Sequence, residues 1–161
     1  MHYDIAIIGY GPVGAMAANM FGSSGLNIVV IEPKKEIWDI PRAVALDGQA
    51  QRIFQSCGIS NNIPVKPIDG LTFINKKGQQ IVYVDFTDHS TPNGYSETVG
   101  FSQPNLERTL RGQAESYKNI TFKLGSTLSN LIATENNNEL TVINDLTNET
   151  EVISSKYLLS L

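Results

Sequence analysis

The chain has 161 residues, enough for one domain with a real core. Its formal net charge is −4, from 12 basic and 16 acidic side chains, with no block of like charge. That excludes a dedicated nucleic-acid surface or a polybasic membrane anchor. No apolar run reaches the ~18 residues of a membrane span, no signal-peptide pattern opens the chain, and the single cysteine, Cys57, excludes an internal disulfide; the expected compartment is the cytoplasm.

The first element in chain order runs from Tyr3 to Glu32. Ile5-Ala6-Ile7-Ile8 is apolar on both faces, as in a parallel strand covered on both sides. Gly9-Tyr10-Gly11-Pro12-Val13-Gly14 follows. Gly9 and Gly11 permit a tight turn and close approach of a pyrophosphate, and Gly14 lets the next helix pack on the strand. Pro12 suits the first helical position, where its missing N–H costs nothing. The helix N-terminus presents N–H groups and partial positive charge to phosphate. Val13, Ala17, Met20 and Phe21 are expected to form the helix's apolar face, with Gly25 as a left-handed cap. Asn27-Ile28-Val29-Val30-Ile31 forms the second strand, ending in Glu32. A carboxylate there holds ribose hydroxyls and repels a 2′-phosphate, favouring NAD or FAD over NADP at this site.

Pro33 to Arg42 then reads as an irregular loop with Trp38 as a loop anchor. Arg42 there is either a solvated arginine or a guanidinium facing phosphate or a flavin edge. Leu46, Ala50, Ile53, Phe54 and Cys57 recur at helical spacing, which predicts a helix stopped by Gly58, with Cys57 a buried core thiol. Leu71–Ile74 and Gln80–Val84 flank a turn at Lys77-Gly78 and predict a hairpin. Asp85 to Glu97 reads as an exposed loop carrying a solvated His89; His2 is also expected in solvent, and neither has metal-ligand neighbours. Pro104 opens a helix with Leu106, Leu110, Ala114 and Tyr117 on one face. Gln103 at its entry is either a cap or surface amide, or a donor to a polyol or phosphate. Short strands are expected at 119–123, 128–133, 139–144 and 151–153, and a separate buried strand at 156–159.

Three blocks carry a family resemblance: Tyr3–Glu32; Pro41-Arg42-Ala43-Val44-Ala45-Leu46-Asp47-Gly48 through Gly58; and Phe101-Ser102-Gln103-Pro104-Asn105-Leu106-Glu107 through Arg111. Together they resemble the FAD-dependent aromatic hydroxylases, the single-component flavoprotein monooxygenases. The resemblance implies an α/β fold: a Rossmann-like FAD-binding βαβ unit with an added β-hairpin and meander, of the glutathione-reductase type. It implies that Gly9, Gly11, Pro12, Val13 and Gly14 line the FAD pyrophosphate and that Glu32 holds the adenosine ribose. It places Arg42 and Ala43 beside the FAD phosphates and flavin, Gln103 near the ribityl and phosphate region, and Leu128 near adenine. It further implies NADPH or NADH as reductant, an aromatic small molecule as substrate, and dioxygen as the source of the oxygen placed on a phenolic ring. Residues 71–100 would be a substrate-side β insertion.

The sequence departs from the family pattern at Pro33, where a basic residue is usual. The family's Asp-Gly motif would begin where Ser160-Leu161 stands, and its distal Gly-Asp motif is absent. The resemblance therefore implies an N-terminal FAD-binding segment spanning 1–161, incomplete and inactive alone, whose exposed apolar surface favours homo-oligomers. No residue is assigned a catalytic or metal-ligating role, and no nucleic-acid or membrane partner is expected. Two other readings stay open: a non-catalytic nucleotide-binding fragment, and an NAD-dependent dehydrogenase domain, disfavoured by the loop after Glu32.

Overall fold

The computed structural model describes residues 1–87 and 91–161, so His89 lies outside the described residues. The elements run β1 (His2–Ile8), α1 (Pro12–Gly22), β2 (Ile28–Glu32), β3 (Ala45–Asp47), α2 (Gly48–Ser56), β4 (Val65–Pro67), β5 (Gly70–Ile74) and β6 (Gln80–Asp85). There follow β7 (Thr98–Phe101), α3 (Gln103–Ala114), β8 (Ile120–Leu124), β9 (Ser126–Ala133), β10 (Asn138–Asn144) and β11 (Thr150–Ser160). The chain divides into two compact units, Met1–Asp39 with Glu107–Leu161, and Ile40–Leu106.

The first unit is built on a six-stranded sheet in the order β8-β2-β1-β11-β10-β9. β1 pairs in parallel with β2 and β11, and β2 with β8. The meander β9-β10-β11 is antiparallel. The apolar runs of β1 and β2 bury both faces, with Ala6, Ile7 and all of Ile28–Ile31 inaccessible to solvent. Tyr3, Ala6, Val29, Ile31, Leu140, Val142 and Ile153 form one core cluster, with Ile8, Leu128 and Leu158 packed against it.

Two expectations are corrected here. The buried face of α1 is Gly14, Ala15, Met16, Ala18, Asn19 and Gly22, while Val13 is 64% and Met20 44% exposed. Small residues set this face because the helix must approach the sheet closely; a Cβ on Gly22 would come within 2.8 Å of the Ile120 side chain. Strands expected apart at 151–153 and 156–159 are one strand, β11. Its Ser154-Ser155 step looks polar in sequence, yet Ser155 is fully buried where the strand changes partner, opposite both Tyr3 and Asn138.

The second unit holds a small antiparallel sheet, β3-β7-β4, and a separate two-stranded sheet, β5-β6. The hairpin matches expectation, with Gly78 at φ 78° in its turn. The three strands of the small sheet were not expected, being only three or four residues long with Pro67 and Gly100 among them. Leu46 belongs to β3 rather than to a helix, and α2 starts at Gly48 because the Asp47 carboxylate caps it, accepting the Ala50 N–H at 2.8 Å. The α2 core residues are Gly48, Gln51 and Phe54; Ile53 is exposed and Cys57 only half-buried. Gln51 is buried because its Nε2 donates to the carbonyls of Asp47 and Ser96.

Candidate nucleotide-binding site

The Gly9–Gly14 turn joins β1 to α1. Gly9 has φ 102°, a conformation that disfavours any Cβ, and its N–H donates to the Ile31 carbonyl at 2.9 Å. A Cβ on Gly14 would overlap the Gly9 carbonyl oxygen, so this glycine lets helix and turn touch. At Gly11, by contrast, a Cβ would meet nothing within 4 Å. Gly11 is the N-cap of α1, and no side chain caps the helix. The first-turn N–H groups and the positive end of the helix dipole are therefore available to an anion. This open, uncapped cradle fits a pyrophosphate.

Glu32 ends β2 and is tied to that turn. Its Oε2 accepts the Tyr10 N–H at 2.7 Å and its Oε1 the Lys34 N–H at 2.9 Å. Each carboxylate oxygen retains acceptor capacity after one such bond, so a ribose diol could still be bridged. Immediately beyond, Pro33, Lys35, Gly125, Asp145 and Leu146 line a cleft of about 280 Å³. Leu128 is partly buried and packs against the core cluster of the sheet.

In the second unit, α3 begins at Gln103, and the Ser102 carbonyl accepts the Leu106 N–H. The buried Gln103 turns its Oε1 toward the preceding loop and accepts two backbone donors, Arg42 N–H at 2.7 Å and Ala43 N–H at 2.9 Å. The structure thus brings together three residues singled out from separate blocks of sequence. The Gln103 oxygen is an internal clamp rather than a free ligand contact, while the Arg42 side chain is exposed. Trp38 is 46% exposed, with the Lys34 ammonium 4.1 Å from its ring centroid, so it does not anchor the loop in a core.

Sequence reading missed the residues behind the turn. Tyr10, between two of the glycines, is fully buried. The Arg111 guanidinium lies 4.5 Å from its ring centroid, and the Phe122 ring packs at 5.2 Å, tilted 46°. Arg111 Nη2 donates to Glu107 Oε1 at 2.7 Å, with both side chains at least nine-tenths buried. Burial first, and the charge of Glu115 second, push the Tyr10 hydroxyl well above the ordinary tyrosine pKa. The i,i+4 spacing of Glu107 and Arg111 was the available signal; nothing in the sequence said that the pair faces inward.

Comparison with known proteins completes the picture. Residues 2–160 match a family described as FAD binding domain. Over 128 residues the chain is 33% identical to 3-(3-hydroxy-phenyl)propionate/3-hydroxycinnamic acid hydroxylase of Paraburkholderia xenovorans (strain LB400), covering 78% of this chain and 20% of that protein. It is 26% identical over 160 residues to the same-named protein of Escherichia coli O8 (strain IAI1), covering 98% of this chain and 28% of that one. Among solved structures, p-nitrophenol 4-monooxygenase PnpA from Pseudomonas putida DLL-E4 superposes with a TM-score of 0.87 at 15% identity, covering 99% of this chain and 40% of that one. The flavin-dependent monooxygenase PieE, in complex with FAD and substrate, superposes at 0.84 with 19% identity, over 98% and 30%. These structural likenesses establish the fold. The chain spans about a fifth of the length of the first curated relative.

Proposed function

We propose, starting from the fact that this chain belongs to the FAD binding domain family, that it is the FAD-holding part of a flavoprotein monooxygenase acting on a phenolic ring. The observation that carries this reading is the uncapped N-terminus of α1 behind a turn that requires glycine at Gly9 and Gly14, in a chain matched by that family over residues 2–160. The backbone of Gly9, Gly11, Pro12, Val13 and Gly14 receives the pyrophosphate, and Glu32 the adenosine ribose. Arg42 and Ala43 contribute toward the phosphates and flavin, with Gln103 fixing the backbone from which they project. Leu128 contributes toward adenine.

When bound, FAD accepts reducing equivalents from NADPH or NADH and supplies the oxygen chemistry; this chain's residues bind and orient it. The β5-β6 hairpin belongs, in this reading, to the substrate-side sheet of the complete enzyme. Its Leu71, Phe73, Ile74, Ile81, Val82, Tyr83 and Val84 are all substantially exposed, which supports self-association of the isolated chain. No helix among the described residues is long and apolar enough to cross a membrane, and with the lone cysteine this supports a cytoplasmic location. Titrating FAD, NAD and NADP separately into the purified chain tests the reading: FAD binding with quenched flavin fluorescence supports it, and tight NAD binding without FAD binding refutes it.

A further inference from the structure

We infer that Arg111 is a positioning residue for the glycine turn, acting through the ring of Tyr10 and held in place by Glu107. The inference rests on the FAD-binding reading only for its effect on affinity; the geometry stands without it. Tyr10 is an unusual occupant for a tight turn, a full-sized aromatic between Gly9 and Gly11 with none of its surface exposed. Its two ends are held separately. The backbone N–H donates to Glu32 Oε2 at 2.7 Å. The ring touches the Arg111 guanidinium, 4.5 Å from its centroid, and the tilted Phe122 ring, 5.2 Å between centroids, and its hydroxyl makes a long 3.4 Å donation to the Arg111 carbonyl.

Arg111 is costly where it sits. Its side chain is 9% exposed, and its Nε is buried with no hydrogen-bond partner. A buried guanidinium with an unmet donor is a poor stabiliser compared with an apolar side chain of similar volume. Its place over the Tyr10 ring, 4.5 Å from the centroid, explains the choice, because a delocalised, weakly hydrated guanidinium suits a buried aromatic face where lysine would present a strongly hydrated point charge. Glu107, 4% exposed and four residues earlier on α3, neutralises that charge and fixes its orientation at 2.7 Å. The chain of contact therefore runs Glu107, Arg111, Tyr10, and from the Tyr10 backbone into the Gly9 and Gly11 peptides on either side of it.

The test compares E107Q/R111M, which removes both charges and leaves no unpaired buried acid, with Y10F, which keeps the ring. Amide hydrogen exchange is read on the ligand-free chain, and FAD affinity by fluorescence titration. In E107Q/R111M the Gly9 and Tyr10 amides, bonded to the Ile31 carbonyl and to Glu32 Oε2, are expected to exchange about tenfold faster, the effect of losing a cation–π contact, while Ile7 and Val30 in the sheet stay unchanged. FAD affinity should fall by a similar factor. Y10F, which keeps the ring and loses only the long hydroxyl contact, should stay closer to the unmutated chain than E107Q/R111M in both measurements. In a Y10L background, E107Q/R111M should add no further loss at the turn. Unchanged turn amides, equal acceleration throughout the sheet, or a full additional loss in the Y10L background would overturn the inference. If the unmutated chain binds no FAD, the functional reading fails, and the exchange data still decide the positioning role.

Discussion

Gln103 Oε1 accepts the backbone N–H of Arg42 at 2.7 Å, joining the entry of α3 to a loop sixty-one residues earlier in the chain. The same oxygen takes the Ala43 N–H, so one buried amide sets two consecutive peptides. Gln103→Ala strands both donors. The expected loss is about 1–3 kcal/mol in urea unfolding, the cost of an unmet buried hydrogen bond, with weaker FAD binding. Gln103→Glu retains the acceptor and should recover most of the stability. Equal behaviour of the two variants would show that the clamp is unimportant.

Gly11 and Gly14 should respond differently to the same added methyl group. At Gly14 the Cβ would overlap the Gly9 carbonyl oxygen and lie 2.9 Å from its carbon, both rigid backbone atoms. Gly14→Ala should lower stability by about 1–3 kcal/mol or more, as overpacking does. At Gly11 nothing lies within 4 Å. Gly11→Ala should keep its melting temperature and lose FAD affinity, because the methyl group intrudes where the phosphate approaches. Thermal melts and FAD titrations on the pair check both claims.

The βαβ unit was legible because it depends on local pattern: two apolar strands, glycines at a fixed spacing and an acid at the strand end. The hairpin and α3 were legible for the same reason, through Lys77-Gly78 and the Leu106-Leu110-Ala114 spacing. The strands of the β3-β7-β4 sheet were not, since each is too short to show a period and gains its identity only by pairing across the chain. The face of α1 was misread because hydrophobicity marked Val13 and Met20 as core, whereas the sheet demands small residues at Gly14, Ala18 and Gly22. The blocks around Arg42 and Gln103 were found in sequence, yet their mutual hydrogen bonds follow only from long-range packing. Tyr10 and Arg111 were passed over because a buried cation–π contact leaves no periodic trace.

Tyr10 should titrate well above an ordinary tyrosine. Its folded pKa is raised, first by burial and then by the charge of Glu115. The unfolded chain releases that proton near the ordinary value of about 10. Above that pH the unfolded state binds fewer protons than the folded one, so stability falls as pH rises. The contribution is fully present below about pH 10 and is lost on the way up to the raised folded value. Absorbance titration at 295 nm should show one tyrosine ionising only with unfolding, and Tyr10→Phe should abolish that step. A Tyr10 that ionises near the ordinary tyrosine value of about 10 in the folded chain would contradict its burial.

The β5-β6 ribbon presents apolar side chains on both faces and two open edges, a combination that favours association. The isolated chain should form dimers or larger species as concentration rises in sedimentation velocity. Phe73→Lys with Ile81→Lys should return it to monomer without altering FAD binding. A monomer at every concentration would refute the self-association proposal.

The central claim is that the Gly9–Gly14 turn with Glu32 serves FAD. It is tested most directly by isothermal titration of FAD into the purified chain, with NAD as competitor and Gly11→Ala as control. The account predicts saturable FAD binding that quenches flavin fluorescence, is not displaced by NAD and is weakened in Gly11→Ala. Saturable NAD binding with no heat from FAD would contradict it.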